Sequence, residues 1–349
     1  MGLPEIIVAF KTAASTAVQR SGHGIVALIL KDESNETVSY SYTKESQVAD
    51  GHWTEANRDY IKKTFLGSPG RVLIERIGAE EDYAAALGRL KNKSWNYLAI
   101  PDLGDGEQKT IADWVIVQRK SGKTFKAVLP SYTADNEGII NFATENIQVG
   151  AKVYTTAQYC CRIAGILAGT ALDNSCTYAV LAEVDTITES TDADADVDAG
   201  KLILINDGQR IKIGRGVNSL TTVEAPKKED WKKIKIIDGM DLVQDDIRTT
   251  WTENYVGMGG KYDHKILFIN AVNVYLKSIA SEGVLDDENE NLAAINIEAQ
   301  RAFLEKLDVA YAEKSDEEIK KANTGSKVFV QANVKFCDAM EDLDFTIYM

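Results

Sequence analysis

Read by the spacing of its apolar residues, the chain changes rhythm around residues 200–222. Leu202, Ile203, Leu204 and Ile205 form a short β-rich run, and Ile211 and Ile213 alternate with Arg210, Lys212 and Gly214. Between them stand Asn206, Asp207 and Gly208, residue types that accept the positive φ of a tight turn, so residues 202–213 are expected to form a β-hairpin. Upstream the pattern is α/β. Strands are expected at 25–30, 38–42, 71–77, 97–100 and 126–129, the last two stopped by Pro101 and Pro130. Helices are expected at 55–65, with Thr54 as the cap, at 80–91 and at 109–120. Strands alternating with helices of this length predict a largely parallel sheet covered on both faces. Residues 139–147 read as two short edge strands.

Residues 155–168 are apolar nearly all round, which predicts a buried helix, with Gly165 and Gly169 allowing close backbone approach. Residues 188–199 are rich in Asp and read as a mobile exposed loop. Past the hairpin, Ile234, Ile236 and Ile237 read as a strand, and helices are expected at 240–255, 262–281 and 290–307. Both ends read as β: Ile6, Ile7, Val8 and Phe10 at one, and alternating runs at 328–336 and 343–349 at the other. In the last run Leu343, Phe345, Ile347 and Met349 alternate with Asp344, Thr346 and Tyr348. The fold class is thus α/β, or α+β taken whole. It has four parts: an N-terminal arm (1–22), a largely parallel-sheet α/β domain (23–150), a helical and hairpin-bearing core domain (151–326), and a C-terminal β arm (327–349).

Composition narrows the function classes. The formal net charge of −14 argues against bulk attraction to nucleic acid or to an anionic membrane. No apolar run approaches the roughly 20 residues that span a bilayer. The first residues lack the basic region and cleavage pattern of a signal peptide. The four cysteines, two of them adjacent at Cys160 and Cys161, have no metal-ligand spacing and read as buried thiols of a reducing cytoplasm. Gly257, Gly259 and Gly260 lack the lysine of a phosphate loop, and Gly214 and Gly216 have no third glycine at dinucleotide spacing. The Asp run from Asp192 places Val197 and Ile203 where a calcium loop needs Gly and Glu. No cofactor and no metal are expected.

Three segments carry a resemblance. Residues 216–222, Gly-Val-Asn-Ser-Leu-Thr-Thr, are similar to a "G-V-N-T-L-T-T" signature. Residues 164–170 with Ser175 and Tyr178 resemble "A-G-x-x-A-G … S-x-T-Y". Residues 241–248 with Tyr255, Val256 and Gly257 resemble "D-x-x-x-x-D-I-R … Y-x-G". Together, in this order, they resemble the sheath proteins of contractile tails, found in myovirus-type phages and R-type bacteriocins. The likeness covers residues 155–285 well, and the first 150 match mainly in layout.

That family is often described as carrying a subtilisin-like domain, so a Ser-His-Asp triad must be weighed. The chain has three histidines, His23, His52 and His264, no G-x-S-x-G elbow, and no serine in a subtilisin nucleophile's context. No catalytic residue is assigned, since fold confers no activity. An α/β hydrolase or nucleotide binder remains the alternative class, and the missing catalytic constellation counts against it.

The resemblance implies a mechanical role. Subunits would stack helically around an inner tail tube and contract to drive that tube through a target cell envelope. Baseplate and tail terminator would be further partners, with no direct membrane insertion. Assembly would occur in the producing cell's cytoplasm, and the product would sit in a phage tail or bacteriocin particle. Terminal arms would be exchanged between subunits by strand addition. The residues expected in those contacts are Ile6, Ile7, Val8, Phe10, Leu202, Leu204, Ile211, Ile213, Leu343, Phe345, Ile347 and Tyr348. Lys227, Lys228, Lys232, Lys233 and Lys235 form the one dense basic cluster and are candidates to face the tube. The run at 343–349 has two readings: it folds back on 328–336, or it crosses to a neighbour's 202–213 hairpin.

Overall fold

A computed structural model describes Val18 and residues 22–349. Ile6, Ile7, Val8 and Phe10 lie outside the described residues. Two compact units emerge, one of residues 22–245 with 337–349 and one of residues 246–336.

The first unit contains β1 (Ile25–Lys31), β2 (Ser39–Tyr42), α1 (Glu55–Phe65), β3 (Arg71–Ile77), α2 (Ala84–Leu90), β4 (Tyr97–Ala99) and α3 (Gln108–Lys120). It continues with β5 (Lys126–Pro130), β6 (Ile139–Phe142), β7 (Glu145–Val149), β8 (Lys152–Tyr154), α4 (Thr156–Gly169), β9 (Thr186–Thr188) and α5 (Ala193–Asp198). β10 (Lys201–Leu202), β11 (Leu204–Asn206), β12 (Ile211–Ile213) and the first part of α6 (Ile234–Thr250) complete it.

Seven strands form one sheet in the order β10-β6-β5-β4-β1-β3-β2. All pair in parallel except β2, which runs antiparallel to β3. β1 is apolar from Ile25 to Leu30 because both its faces are covered. Val26, Leu28 and Leu30 join a core with α1 and α4, while Ile25, Ala27 and Ile29 join one with α2 and α3. The expected largely parallel sheet, covered on both faces, is therefore present.

α4 is buried as its composition requires. A capping box starts it: Thr155 Oγ1 accepts from the Gln158 amide at 3.2 Å, and Gln158 Oε1 accepts from the Thr155 amide at 3.1 Å. Its two glycines sit where the end of α1 and the turn after it press backbone against backbone. A Cβ at Gly165 would lie under 3.0 Å from the Thr64 carbonyl oxygen, and one at Gly169 would overlap the Gly67 carbonyl in the same way. Because α4 shares its core with β1 and α1, the core does not divide at residues 150/151 as expected from the sequence.

A buried ion network ties the start of α6 to the sheet. Lys126, 1% exposed on β5, lies 2.6 Å from Asp241 and 3.1 Å from Asp238. Arg119 grips Asp241 with two bonds of 3.0 and 2.9 Å, and the Tyr97 hydroxyl donates to Asp238 at 2.7 Å. Burial disfavours the Lys126 ammonium, yet the two aspartates outweigh that and raise its pKa.

This network explains one departure from the expected elements. Ile234, Ile236 and Ile237 are β-branched, but residues 234–237 form the first turn of α6 rather than a strand. Helical spacing puts Ile234, Ile237, Asp238 and Asp241 on one buried face, and tertiary burial overrides propensity. Residues 188–199 are likewise no open loop. Asp192 caps α5 by accepting from the Ala195 amide at 3.0 Å, and Lys201 and Ser190 hold Asp196. β6 is not an edge strand but lies between β5 and β10, whereas β7 belongs to a separate sheet, β8-β7-β9. The expected helix at 80–91 shortens to α2.

The second unit holds the end of α6, a π-helical turn at Trp251–Tyr255, then α7 (Tyr262–Ser281), β13 (Leu292–Ile295), α8 (Ile297–Glu305), α9 (Asp316–Lys321) and β14 (Val330–Asn333). Trp251, Tyr255 and Phe268 pack as an aromatic cluster. The helix expected at 290–307 is instead a strand and a helix. Asn296 separates them, accepting from the Ala299 amide at 2.9 Å to cap α8.

Gly165→Ala is expected to destabilise the fold by about 3 kcal/mol or more, since the clash is with backbone. Gly88→Ala, whose Cβ meets nothing within 4 Å, should be neutral or slightly stabilising. Equal melting temperatures for the two variants would refute the tight α1–α4 crossing.

A second expectation concerns acid. Burial raises the Glu183 pKa, but the bond and charge of Arg162, 2.5 Å away, outweigh it and hold the carboxyl below its ordinary value. A depressed carboxylate stabilises the fold above its unfolded pKa, and that contribution is lost as pH falls through the folded value. Glu183→Gln should therefore cost about 1.5–3 kcal/mol at neutral pH. Denaturant titrations should show that gap closing below about pH 4.5, and a constant gap across that window would exclude the pair as its source.

Candidate assembly surfaces

The last residues leave the first unit from a built anchor. Glu341, whose side chain is 8% exposed, accepts from Ser175 Oγ at 3.0 Å and from Thr177 Oγ1 at 2.5 Å, with Arg215 Nε at 3.3 Å. Arg215 also meets Asp342 at 2.6 Å, and Lys233 pairs with Asp338. Past this clasp the chain has no assigned strand, and Leu343, Phe345, Ile347 and Tyr348 are 87%, 72%, 71% and 91% exposed. The fold-back of 343–349 onto 328–336 is not formed.

The 202–213 segment is a hairpin only in part. β11 and β12 pair antiparallel with Leu204 opposite Ile213, and the turn closes through Asp207 and Arg210. Leu202 belongs to β10, which pairs with β6 in the main sheet. The side chains of Leu202, Leu204, Ile211 and Ile213 are all core. The outer edge of β12 is already spent: Ile213 exchanges bonds with Tyr178 and Ala179, and Ile211 accepts from Leu181. On β11, the Leu204 amide donates to Thr144 Oγ1 at 2.8 Å.

An open edge lies in the second unit, in a ladder that sequence reasoning missed. β13 and β14 pair antiparallel, with Ala293 opposite Ala332 and Ile295 opposite Val330. The Ala293 amide and carbonyl are both taken by the Asn273 side chain, at 2.6 and 3.1 Å. They point away from β14, so by the alternation of an antiparallel ladder Ala332 and Val330 point their backbone groups away from β13. No described residue bonds to those groups.

The lysine cluster is largely neutralised. Lys227 pairs with Glu137 at 2.8 Å, Lys232 with Glu229 at 2.7 Å, and Lys233 with Asp338. Lys235 is buried and Lys228 is exposed. Cys160, Cys161 and Cys176 are buried free thiols, with burial pushing Cys161 and Cys176 up to about 12, while Cys337 is half-buried. Among the described residues no group of three His, Cys, Asp or Glu side chains is placed to hold a metal, and no helix is long and apolar enough to cross a membrane.

Two family models match the chain: the phage tail sheath protein central domain over residues 79–219, and the phage tail sheath C-terminal domain over 226–349. The tail sheath protein of Clostridium phage phiCD119 is 38% identical, covering 100% of this chain and 99% of that relative. The chain belongs to the phage tail sheath family. Its role is structural. The fold agrees with solved sheath structures. The contracted helical sheath of the anti-feeding prophage superposes with a TM-score of 0.71 at 12% identity, covering 100% of this chain and 99% of that one. The Desulfitobacterium hafniense sheath tail protein gives 0.69 at 15% identity, covering 83% and 93%.

Two of the three segments that carried the family likeness meet at the tail sheath subunit's anchor. Ser175 and Thr177 come from one and Gly216 from another, and the Gly216 amide donates to Thr177 Oγ1 at 2.9 Å. Asn218 binds the Trp231 carbonyl at 2.7 Å and Ser219 the Asn136 carbonyl at 2.9 Å, fixing the strap beside Arg215. Arg215→Ala should cost less than about 1 kcal/mol, because the guanidinium is partly solvated. It should nonetheless speed amide exchange across residues 338–342. Unchanged exchange there would remove the clasp from the account.

Proposed function

We propose that this tail sheath subunit polymerises helically around an inner tail tube and contracts to drive that tube through a cell envelope, its subunits joined by exchanged arms. The observation that carries the reading is the pairing of opposites within one chain: a clasped, exposed segment of alternating sequence at residues 343–349 and a β14 edge that no described residue occupies. Leu343, Phe345 and Ile347 each forgo about 1.5–3 kcal/mol while they stay in water. An added strand would recover that and would meet the backbone groups of Val330 and Ala332 that no described residue bonds. The donor is the arm expected from sequence. The acceptor is assigned to β14 instead of the 202–213 hairpin, because the β12 edge is occupied within the chain. Residues Ile6, Ile7, Val8 and Phe10 would supply the second exchanged strand.

Main-chain pairing of this kind persists while rigid bodies rotate about it, which suits a polymer that changes its helical geometry. The inner tube, baseplate and tail terminator are the proposed partners. Lys228 is the lysine of the basic cluster best placed to face the tube, since the others are paired or buried. No enzymatic role is proposed. Assembly in the cytoplasm of the producing cell would precede incorporation into a phage tail or bacteriocin particle.

Deleting residues 343–349 is expected to leave a monomer with near-normal thermal stability that forms no tubes or rings by electron microscopy. Proline at Phe345 or Ile347 should mimic the deletion wherever the lost N–H was a ladder donor. Tubes formed by the truncated chain would end the exchange model, and an unfolded truncated chain would return the strand to its own core.

A further inference from the structure

A two-stranded ladder has two outer edges, and an exposed strand end can add to either. In this subunit the two edges differ. Asn273, on α7, meets both the N–H and the C=O of Ala293 with its carboxamide, at 2.6 and 3.1 Å. A primary amide presents one acceptor and donors in the spacing of a peptide group, so its side chain stands where a neighbouring strand's backbone would stand. On the other side no described residue covers Val330 and Ala332 in this way. The β13 edge is also approachable: an open groove lined by Asn273, Val274, Lys277, Asn291 and Leu292 runs beside it, and Val274 is 69% exposed.

We propose that Asn273 is a strand-mimicking plug that closes the β13 edge, so that an incoming arm from a second copy adds to the β14 edge alone. It is a positioning residue for assembly: it sets which of the ladder's two edges accepts the 343–349 arm. This inference rests on the arm-exchange reading for its consequence, while its local content, the amide clamp on Ala293, stands apart from it.

The test compares the full-length wild type with Asn273→Ala and Asn273→Asp. Asp keeps the acceptor for the Ala293 amide and loses the donor to its carbonyl. Thermal unfolding and near-ultraviolet circular dichroism first establish that each variant is folded. Amide exchange at Ala293 should quicken by about 10-fold or more in Asn273→Ala, as expected for an unblocked edge, and less in Asn273→Asp. Electron microscopy should show regular tubes for wild type, irregular aggregates displacing tubes for Asn273→Ala, and a mixture for Asn273→Asp. Regular tubes at wild-type yield from a folded Asn273→Ala chain with a fast Ala293 amide would overturn the proposal, as would an Ala293 amide that stays protected. If the chain lacking 343–349 still polymerises, the donor assignment fails; the plug is still decided by whether Asn273→Ala corrupts the assemblies that form.

Discussion

The buried contact of Lys126 with Asp238 and Asp241 is the constraint on which the first unit's architecture depends. Removing an ammonium and two carboxylates from water costs several kcal/mol per ion, and the cost is met only when partners and hydrogen bonds are complete. Here they are: Arg119 takes the second oxygen of Asp241 and Tyr97 meets Asp238. The carboxylates arrive together because residues 238 and 241 lie three apart on a helix. A strand would send residue 241 to the opposite face from residue 238, and the lysine would keep one partner at most. The helix at 234–237 is therefore imposed from the sheet, against the preference of three isoleucines.

The same economy appears at the chain's end. Thr177 serves both the Gly216 amide and the Glu341 carboxylate, so one hydroxyl joins the strap to the departing arm. Ser175, Thr177 and Gly216, which lie in two of the segments that resemble the sheath family, thus act as polar bolts around the point where the last residues leave the first unit. The family likeness and the mechanical reading are two views of one local arrangement.

Much of this was legible in the sequence. Residues 55–65, 71–77 and 262–281 match α1, β3 and α7 because period, caps and breakers agree there. Strict alternation at 343–349 read as a strand, and the chain has no assigned strand there. Which edges are open was not legible, because an edge is spent only after distant segments settle: residues 178–181 fill β12, and Asn273 fills β13, 20 residues before Ala293. β13 itself was hidden in an apolar run that continues into α8, although Asn296 was a cap signal standing in plain view. α5 carried a similar signal in Asp192.

The exposed arm also has a consequence for the subunit before it assembles. A free chain displays an apolar strand end, the kind of segment that drives unspecific association, so it needs gatekeepers. Asp344 interrupts the apolar alternation, while Asp338, Glu341 and Asp342 are already paired with Lys233 and Arg215, so the wider protection is the formal charge of −14 on the whole chain. Two free subunits thus repel at short range, over a distance set by a Debye length of roughly 8 Å at physiological salt. On the arm-exchange reading, a growing end that offers many contacts at once would overcome a repulsion that a single collision does not. Starting a sheath would then be slow relative to extending one, with ionic strength as the lever on the lag before growth.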